Sequence, residues 1–296
     1  MARNAALKHN GRFRPLFWGN METLKETLQR EKFYFKKKFG QNFISDTNLL
    51  SAIVADAGVT KQDTVIEIGC GGGTLTAALA ESAGKVIGYE IDRDLQPVLS
   101  HRLAEFHNVE LNFADIMKQE LSEIEEGLSS YVVVANLPYY ITTPVIMKFV
   151  EGSEKMRRMI IMVQEEVADR LSAEPGTEAY GSVTAAISVR GEARVTRKVP
   201  RKMFYPVPNV DSAVVEITLN KTLPQETAKA YRAVVRAAFA SRRKTLLNNL
   251  MQSFKISREE GESIIASCGL APMVRGETLN SDQFLLLAEK LSDKIV

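Results

Sequence analysis

The spacing of apolar residues predicts a helix followed by alternating strands and helices. Asp46 can cap a helix whose apolar residues recur at helical spacing over residues 49–54 and which Gly58 ends. Beyond it, short apolar runs predict strands at 65–68, 85–90, 109–113, 131–135 and 158–164, and helical spacing predicts helices at 74–82, 94–106 and 143–150. Strict alternation of this kind predicts a mostly parallel sheet with helices on both faces.

The pattern changes again in the last third of the chain. β-branched runs at 192–199 and 213–219, joined by a proline-rich turn, predict an antiparallel pair closing the sheet edge. Beyond residues 220–224 the spacing is helical, with helices predicted at 225–239, 242–251, 258–266 and 281–291. We therefore predict a basic N-terminal arm at 1–30, an α/β domain at 31–220 and a small all-α domain at 221–296.

Composition narrows the class of protein. The chain has 296 residues, 45% hydrophobic and 25% charged, which excludes a disordered or fibrous protein. No apolar run approaches the roughly 20 residues of a membrane helix, so we expect no membrane span. Cys70 and Cys268 are the only cysteines and no secretory signal is visible, which favours a reduced, cytoplasmic protein. Residues 1–20 contain no acid and suggest a mobile arm, a start-site artefact with Met21 as the true start, or a poor transit peptide.

Charge is unevenly distributed although the net charge is only +2. Residues 1–43 carry ten Lys or Arg against three acids, residues 190–202 six against one, and residues 229–244 six against none. A single run of this kind is usually a solvated face, but three together favour a polyanionic partner.

A glycine-rich loop follows the first strand of the alternating region. Gly69-Cys-Gly-Gly-Gly73 joins that strand to a helix, and such loops let a ligand approach the backbone and the helix N-terminus. Glu90 ends the next strand, where a carboxylate can accept both hydroxyls of a ribose. Asp115, after the third strand, can accept a hydrogen bond from an adenine amine or can simply cap a helix. An adenosine-containing cofactor is favoured, either NAD or S-adenosylmethionine.

The tetrapeptide after the fourth strand points to methylation of a base amine. The lone pair of such an amine is delocalised into the ring, so an enzyme must hold the amine and orient the lone pair toward a methyl group. The Asn136 side-chain oxygen and a backbone carbonyl beside Pro138 can accept the two amine hydrogens, while Tyr139 offers a ring on which the base can stack.

These motifs together resemble the ribosomal RNA adenine dimethyltransferases. Asn136-Leu-Pro-Tyr139 occurs with Lys38-Phe-Gly-Gln-Asn-Phe-Ile-Ser-Asp46, with the segment 204–212 and with the segment 239–249, in the family's order. The resemblance covers residues 35–284. Two positions depart from the family's pattern: Cys70 replaces a proline, and Gly72-Gly73 makes the loop richer in glycine.

The resemblance implies a Rossmann-like class I methyltransferase domain with a seven-stranded sheet. It also implies that S-adenosylmethionine donates methyl groups to two adjacent adenosines in the 3′-terminal hairpin loop of small-subunit ribosomal RNA, within an assembling 30S particle. The cofactor residues it implies are Asn42, Ile44, Gly69, Gly71, Glu90, Ile91, Asp115, Ile116 and Asn136. The catalytic residues it implies, which hold or stack on the flipped adenine, are Asn136, Leu137, Pro138, Tyr139 and Phe204.

Basic side chains near these motifs are predicted to contact RNA phosphates without reading sequence. They are Lys36, Lys37, Lys38, Arg197, Lys198, Arg201, Lys202, Arg242, Arg243 and Lys244. The last three are expected to open a helix of the C-terminal domain, which we predict docks on ribosomal RNA.

Three other interpretations are weighed against this one. A relative that methylates one adenine of large-subunit RNA shares the cofactor and target amine, but residues 142–144 and 210–213 favour the small-subunit enzyme. A noncatalytic assembly or organellar transcription factor is disfavoured by the intact motif at Asn136, and an NAD oxidoreductase leaves that motif unexplained. The spacing of His9, His101 and His107 matches no metal site or triad, and no heptad is visible, so a metal-free monomer is expected.

Overall fold

The computed structural model describes residues 23–36 and 39–295 and contains a seven-stranded sheet followed by a helical region. The predicted N-terminal arm lies outside these residues except for its last part. The strands are β1 (Phe43–Ile44), β2 (Thr64–Ile68), β3 (Lys85–Tyr89), β4 (Val109–Asn112), β5 (Tyr131–Asn136), β6 (Met156–Gln164), β7 (Gly191–Val199), β8 (Phe204–Tyr205) and β9 (Ser212–Leu219). The α-helices are α1 (Leu24–Arg30), α2 (Thr47–Ala57), α3 (Thr74–Ser82), α4 (Gln96–Arg102), α5 (Leu121–Ile124), α6 (Thr142–Gly152), α7 (Glu165–Leu171), α8 (Ser182–Ser188), α9 (Gln225–Ala238), α10 (Leu246–Phe254), α11 (Arg258–Ser267) and α12 (Ser281–Lys290).

The large sheet has the order β4-β3-β2-β5-β6-β9-β7. Its first five strands run parallel, with Ile66 beside both Ile87 and Val133 at the centre. Parallel strands present their carboxyl ends at one edge, and the order reverses around β2 and β5, which is where ligands bind in open α/β sheets. This confirms the predicted fold class and positions the site.

The ends of α2 follow from its sequence. The Asp46 carboxylate accepts the Leu49 N–H at 2.8 Å, and Gly58 ends the helix with a φ of 57°, a left-handed conformation that glycine adopts at little cost. Helix α3 matches its predicted bounds, while the helix predicted at 94–106 is shorter. Asp92 caps a single 3₁₀ turn first, and α4 then begins with Pro97 in its first turn.

Contacts between Cα atoms divide the chain into two compact units that interleave in sequence. Of the described residues, the first comprises those up to 145 together with 155–165 and 196–216, and the second comprises 146–154, 166–195 and those from 217 onward. The predicted domain boundary near residue 220 stays a prediction. Helices α7 and α8, which the apolar spacing did not predict, belong to the second unit.

The second unit has its own apolar core, formed by α8 to α12. Tyr231 and Phe284 lie in it, and the Tyr231 hydroxyl is satisfied because it donates to the Ala185 carbonyl at 2.7 Å. Buried tyrosines with a bonded hydroxyl add apolar area without leaving a polar group unpaired.

The prediction that Arg242, Arg243 and Lys244 open a helix is wrong. Helix α10 begins at Leu246 because Thr245 is its N-cap, with the side chain accepting the Asn248 N–H. The three basic residues lie in the preceding turn. Asn249 holds that turn, donating from its buried amide to the Ala238 and Ser241 carbonyls at 2.8 and 3.1 Å.

Among the residues described, no helix is long and apolar enough to cross a membrane.

Candidate active site

A single pocket lies at the carboxyl ends of β2, β3 and β5. It is lined by every residue predicted to hold a cofactor or a target base: Asn42, Ile44, Gly69, Gly71, Glu90, Ile91, Asp115, Ile116, Asn136, Leu137, Pro138, Tyr139 and Phe204. Residues far apart in sequence therefore meet at one place, and their assignment to ligands remains a proposal.

The glycine loop closes one side of the pocket. Gly69, Gly71 and Gly73 all have positive φ, at 79°, 53° and 76°, and a Cβ on Gly71 would lie 2.9 Å from the Phe43 ring. Larger residues there would be strained and would collide with the ring. The loop can thus bring its backbone close to a ligand.

Glu90 is a buried carboxylate held in a fixed orientation. One oxygen accepts the Gly71 N–H and the other the Asp92 N–H, both at 2.8 Å. Burial raises the pKa of Glu90, and the backbone N–H groups oppose that shift. Each carboxylate oxygen can accept a further hydrogen, so the side chain can take two neighbouring hydroxyls.

The segment before β1 is tied to the loop after Glu90. The Lys36 ammonium donates to Asp92 at 2.6 Å and pairs with Asp94 at 2.5 Å, and Gln41 donates to Asp92 at 2.8 Å. Asp92 is only 2% exposed, so this network neutralises a buried carboxylate. Lys36, predicted to contact RNA, is engaged within the chain.

Asp115 combines the two roles that its sequence position allows. Its side chain accepts the Met117 N–H at 3.0 Å and caps a 3₁₀ turn over Ile116–Lys118, and it also lines the pocket. A carboxylate with one oxygen occupied by a cap retains acceptor capacity for a ligand amine.

The Asn136–Tyr139 segment is fixed by contacts at both ends. The Asn136 amide nitrogen donates to the Asn42 carbonyl at 2.9 Å, which leaves the side-chain oxygen as the acceptor toward a ligand. The Pro138 carbonyl already accepts from the Ile141 N–H at 3.1 Å and from the Thr142 hydroxyl at 3.2 Å. The Leu137 carbonyl is therefore the better second acceptor for an amine.

Phe204 reaches the pocket through a two-stranded sheet that sequence analysis did not predict. Strand β1 pairs antiparallel with β8, placing Ile44 opposite Phe204. Phe204 is buried, and the Tyr139 hydroxyl lies 3.3 Å from the Ser212 hydroxyl. This pairing explains how segments 160 residues apart line one cavity.

Glu67 is a pocket residue that the sequence analysis missed. It lies in β2 and is fully buried, and neither carboxyl oxygen has a hydrogen-bond partner of normal geometry among the described residues. Burial raises the pKa of Glu67 to about 8, the Glu90 carboxylate adds to the increase, and the nearby Thr76 and Cys70 side chains oppose it. A charged residue inside an apolar strand was the available signal.

Cys70, also buried beside the pocket, is no nucleophile. Burial, with the nearby Glu67 and Glu90 carboxyls, raises the pKa of its thiol well above the ordinary value, so it stays protonated.

The basic residues predicted to contact RNA have varied surroundings. Arg197 forms a two-pronged pair with Asp56 at 2.8 and 2.7 Å, and Lys198 pairs with Glu165. Arg242 donates to the Glu178 and Tyr180 carbonyls at 2.8 and 2.7 Å. The others described are exposed: Arg201 donates to the Asn209 carbonyl and Lys244 to Gln252, while Lys202 and Arg243 have no ion-pair partner among the described residues. Lys37 and Lys38 lie outside the described residues.

The fold and the pocket define a class. At the carboxyl ends of its parallel strands the protein brings together a glycine loop, an acidic residue after each of two neighbouring strands and an Asn-Leu-Pro-Tyr segment. This combination defines a Rossmann-like methyltransferase that acts on a base amine.

Comparison with known proteins identifies the family. The chain belongs to the ribosomal RNA adenine dimethylase family, whose model matches residues 32–293, and it is an rRNA adenine methyltransferase. It is 46% identical over 276 residues to ribosomal RNA small subunit methyltransferase A of Geobacillus thermodenitrificans, covering 90% of this chain and 94% of that protein. The same-named protein of Lactococcus lactis is 42% identical, with 92% and 95% covered.

Solved structures share the fold. The dimethyladenosine transferase from Plasmodium falciparum superposes with a TM-score of 0.68 at 24% identity, covering 84% of this chain and 97% of that one. The 23S rRNA methyltransferase ErmE gives 0.66 at 25% identity, covering 84% and 99%.

Proposed function

We propose that this chain transfers methyl groups from S-adenosylmethionine to the N6 amines of two adjacent adenosines in the 3′-terminal hairpin loop of small-subunit ribosomal RNA. The substrate is an assembling 30S particle in the cytoplasm, and the enzyme acts as a monomer. The observation that supports this most is the Asn136–Tyr139 segment at the same pocket as Glu90 and Asp115. The small-subunit relatives, matched over nearly their whole length, favour that RNA over the large-subunit one.

The residues of the pocket suit S-adenosylmethionine. Glu90, with each oxygen already fixed by one N–H, has lone pairs left for two ribose hydroxyls, and Asp115 can accept from the adenine amine. The buried Glu67 carboxyl, which has no hydrogen-bond partner of normal geometry among the described residues, would gain one from a polar group of the cofactor. Asn42 and Ile44 would hold the methionine end.

The chemistry that S-adenosylmethionine supplies when bound is an electrophilic methyl group on a sulfonium. Asn136 and the Leu137 carbonyl accept the two hydrogens of the target amine and so direct its lone pair into the pocket. Because the Asn136 amide nitrogen donates to the Asn42 carbonyl, the Asn136 side chain is fixed in one rotamer with its oxygen directed at the target amine. No histidine lines the pocket among the residues described, and the methylated amine is acidic enough to lose its proton to water.

Tyr139 and Phe204 receive the base. An adenine in a hairpin must leave its stack to reach the pocket. Stacking on an aromatic ring stabilises the flipped base by about 1–3 kcal/mol. Methyl transfer is thus accelerated by positioning of the base and exclusion of water rather than by acid–base catalysis.

The C-terminal helices are proposed to dock on ribosomal RNA through phosphate contacts. Arg243 is exposed in the turn before α10, and Lys244 beside it donates to the exposed amide of Gln252, so both can reach phosphates. Replacing Arg243 and Lys244 with Gln should weaken particle binding and reduce its salt dependence. Unchanged affinity and salt dependence would contradict docking by this turn.

The central experiment is transfer of labelled methyl from S-adenosylmethionine to undermethylated small subunits and, separately, to large-subunit RNA, followed by nucleoside analysis. Dimethyladenosine should form only in small-subunit RNA and should vanish with Asn136→Ala. Asn108→Ala is a matched control, because Asn108 also donates to backbone carbonyls, at 2.9 and 3.1 Å, but does not line the pocket.

Two other outcomes would overturn the proposal. Label in large-subunit RNA would assign the chain to that substrate. No label in either RNA, with particle binding intact, would indicate an assembly factor.

A further inference from the structure

Two consecutive tyrosines follow Pro138, and the structure places them differently. Tyr139 is partly buried, with its hydroxyl beside Ser212, whereas Tyr140 lines the same pocket but is 59% exposed. Tyr140 is therefore at the rim of the pocket.

The position of Tyr140 is built into the turn. The Pro138 carbonyl accepts from Ile141 and Thr142, which fixes the backbone on both sides of the two tyrosines. A Cβ on Gly40 would lie 3.9 Å from the Tyr140 ring, so the ring rests close to this glycine, whose φ is 54°. The backbone that carries the ring is thus fixed at the rim of the pocket, and the ring itself stays open to a ligand.

An exposed aromatic ring at the mouth of a pocket offers a stacking surface, and the substrate supplies a base that can use it. When one adenosine of an adjacent pair enters the pocket, its covalently linked neighbour must lie at the mouth. That neighbour is also a purine with an exposed π-face, and its own stack has been broken by the flip.

We propose that Tyr140 forms a second base subsite, which stacks on the nucleotide next to the adenosine being methylated. This subsite rests on the proposed function. It makes Tyr140 a specificity-determining residue, because a pyrimidine neighbour offers a smaller stacking surface than a purine.

The test is a double-mutant cycle between protein and RNA. Undermethylated small subunits are prepared with both adenosines, or with either one replaced by uridine, and methylation of the remaining adenosine is followed. We expect Tyr140→Ala to raise KM for the two-adenosine particle about fivefold, the low end of what loss of one base–aromatic stack costs. KM for S-adenosylmethionine and kcat should stay within twofold.

The uridine particle reveals whether the two partners interact. For the wild-type enzyme, at least one of the two uridine replacements should raise the KM for the particle. For that uridine-containing particle, Tyr140→Ala should raise KM by less than a further twofold. Tyr140→Phe should behave as wild type, because it keeps the ring. Tyr34→Ala is the matched control, since Tyr34 is 81% exposed and lines a separate groove with Arg93 and Pro97.

Independent effects of the protein and RNA changes, or a Tyr140→Ala variant that loses kcat with unchanged KM, would overturn the subsite while leaving the proposed function intact. A wild-type enzyme that does not methylate the two-adenosine particle would overturn both.

Discussion

Glu67→Gln tests whether the buried carboxyl in β2 is protonated. Glu67 lies at the centre of the sheet with no hydrogen-bond partner for either oxygen among the described residues. Burial, with the Glu90 carboxylate nearby, raises the pKa of Glu67 to about 8 from an ordinary value of 4.5. Glutamine has nearly the shape of the protonated acid and cannot ionise.

The sign of the effect follows from proton binding. Between pH 4.5 and 8 the folded chain holds a proton on Glu67 that the unfolded chain has released, so stability must fall as pH rises through that window. Each pH unit costs the folded state about 1.4 kcal/mol, or about 4 kcal/mol between pH 5 and 8. Above about pH 8 this contribution no longer changes.

The assay is urea unfolding followed by far-ultraviolet circular dichroism from pH 5 to 8.5. The free energy of unfolding of Glu67→Gln relative to wild type should rise with pH by about 4 kcal/mol, because only the wild type loses its proton. Glu126→Gln, at an exposed position, is the control and should run parallel to wild type. Parallel curves for Glu67→Gln would show that this carboxyl is ionised in the folded chain, and the reasoning would fail.

Three further changes have expected outcomes. Gly71→Ala should lower stability by about 1–2 kcal/mol and weaken donor binding in calorimetry, because a Cβ there is strained and meets Phe43. Lys36→Met should lower the free energy of unfolding in urea, because Asp92 stays buried without its cation; an unchanged value would contradict this. Asn249→Ala should cost about 2 kcal/mol through two lost hydrogen bonds, and proteolysis should then cut the turn after residue 240 faster.

The central fold was predictable because local and global signals agree there. The Asp46 cap, the Gly58 stop and the apolar strands each act over a few residues, and the structure reproduces them within one or two positions. Helices α7 and α8 were missed because each is seven residues long. A helix of two turns shows too little apolar spacing to be distinguished from a loop.

The turn before α10 shows a different limit of sequence reasoning. Arginine and lysine are good helix formers, so residues 242–244 favour a helix by propensity alone. Thr245 and the Asn249 side chain override that preference by satisfying backbone groups in a turn. Asn249 binds carbonyls eight and eleven positions before it, and local propensity does not register contacts over that distance.

The pocket was predictable for a topological reason. Parallel strands deliver the residues that follow them to one edge, so Glu90, Asp115 and Asn136 had to meet once the strands were recognised. Phe204 comes from outside the alternating region, and only family resemblance indicated it. The β1–β8 pair that carries it has two residues in each strand, too few for a pattern.

The roles of basic residues are the hardest feature to predict from the sequence, because the sequence does not show which acid, if any, a lysine or arginine pairs with. Lys36 and Asp92 are 56 positions apart and Arg197 and Asp56 are 141 apart, and only the fold makes them pairs. A side chain engaged in this way must break an internal pair before it can bind a phosphate. Lys202 and Arg243 are exposed with no ion-pair partner among the described residues, so they carry no such cost. Phosphate contacts by Lys202 and Arg243 should therefore contribute more to RNA affinity than contacts by Lys36 or Arg197, and their replacement should reduce the salt dependence of binding further.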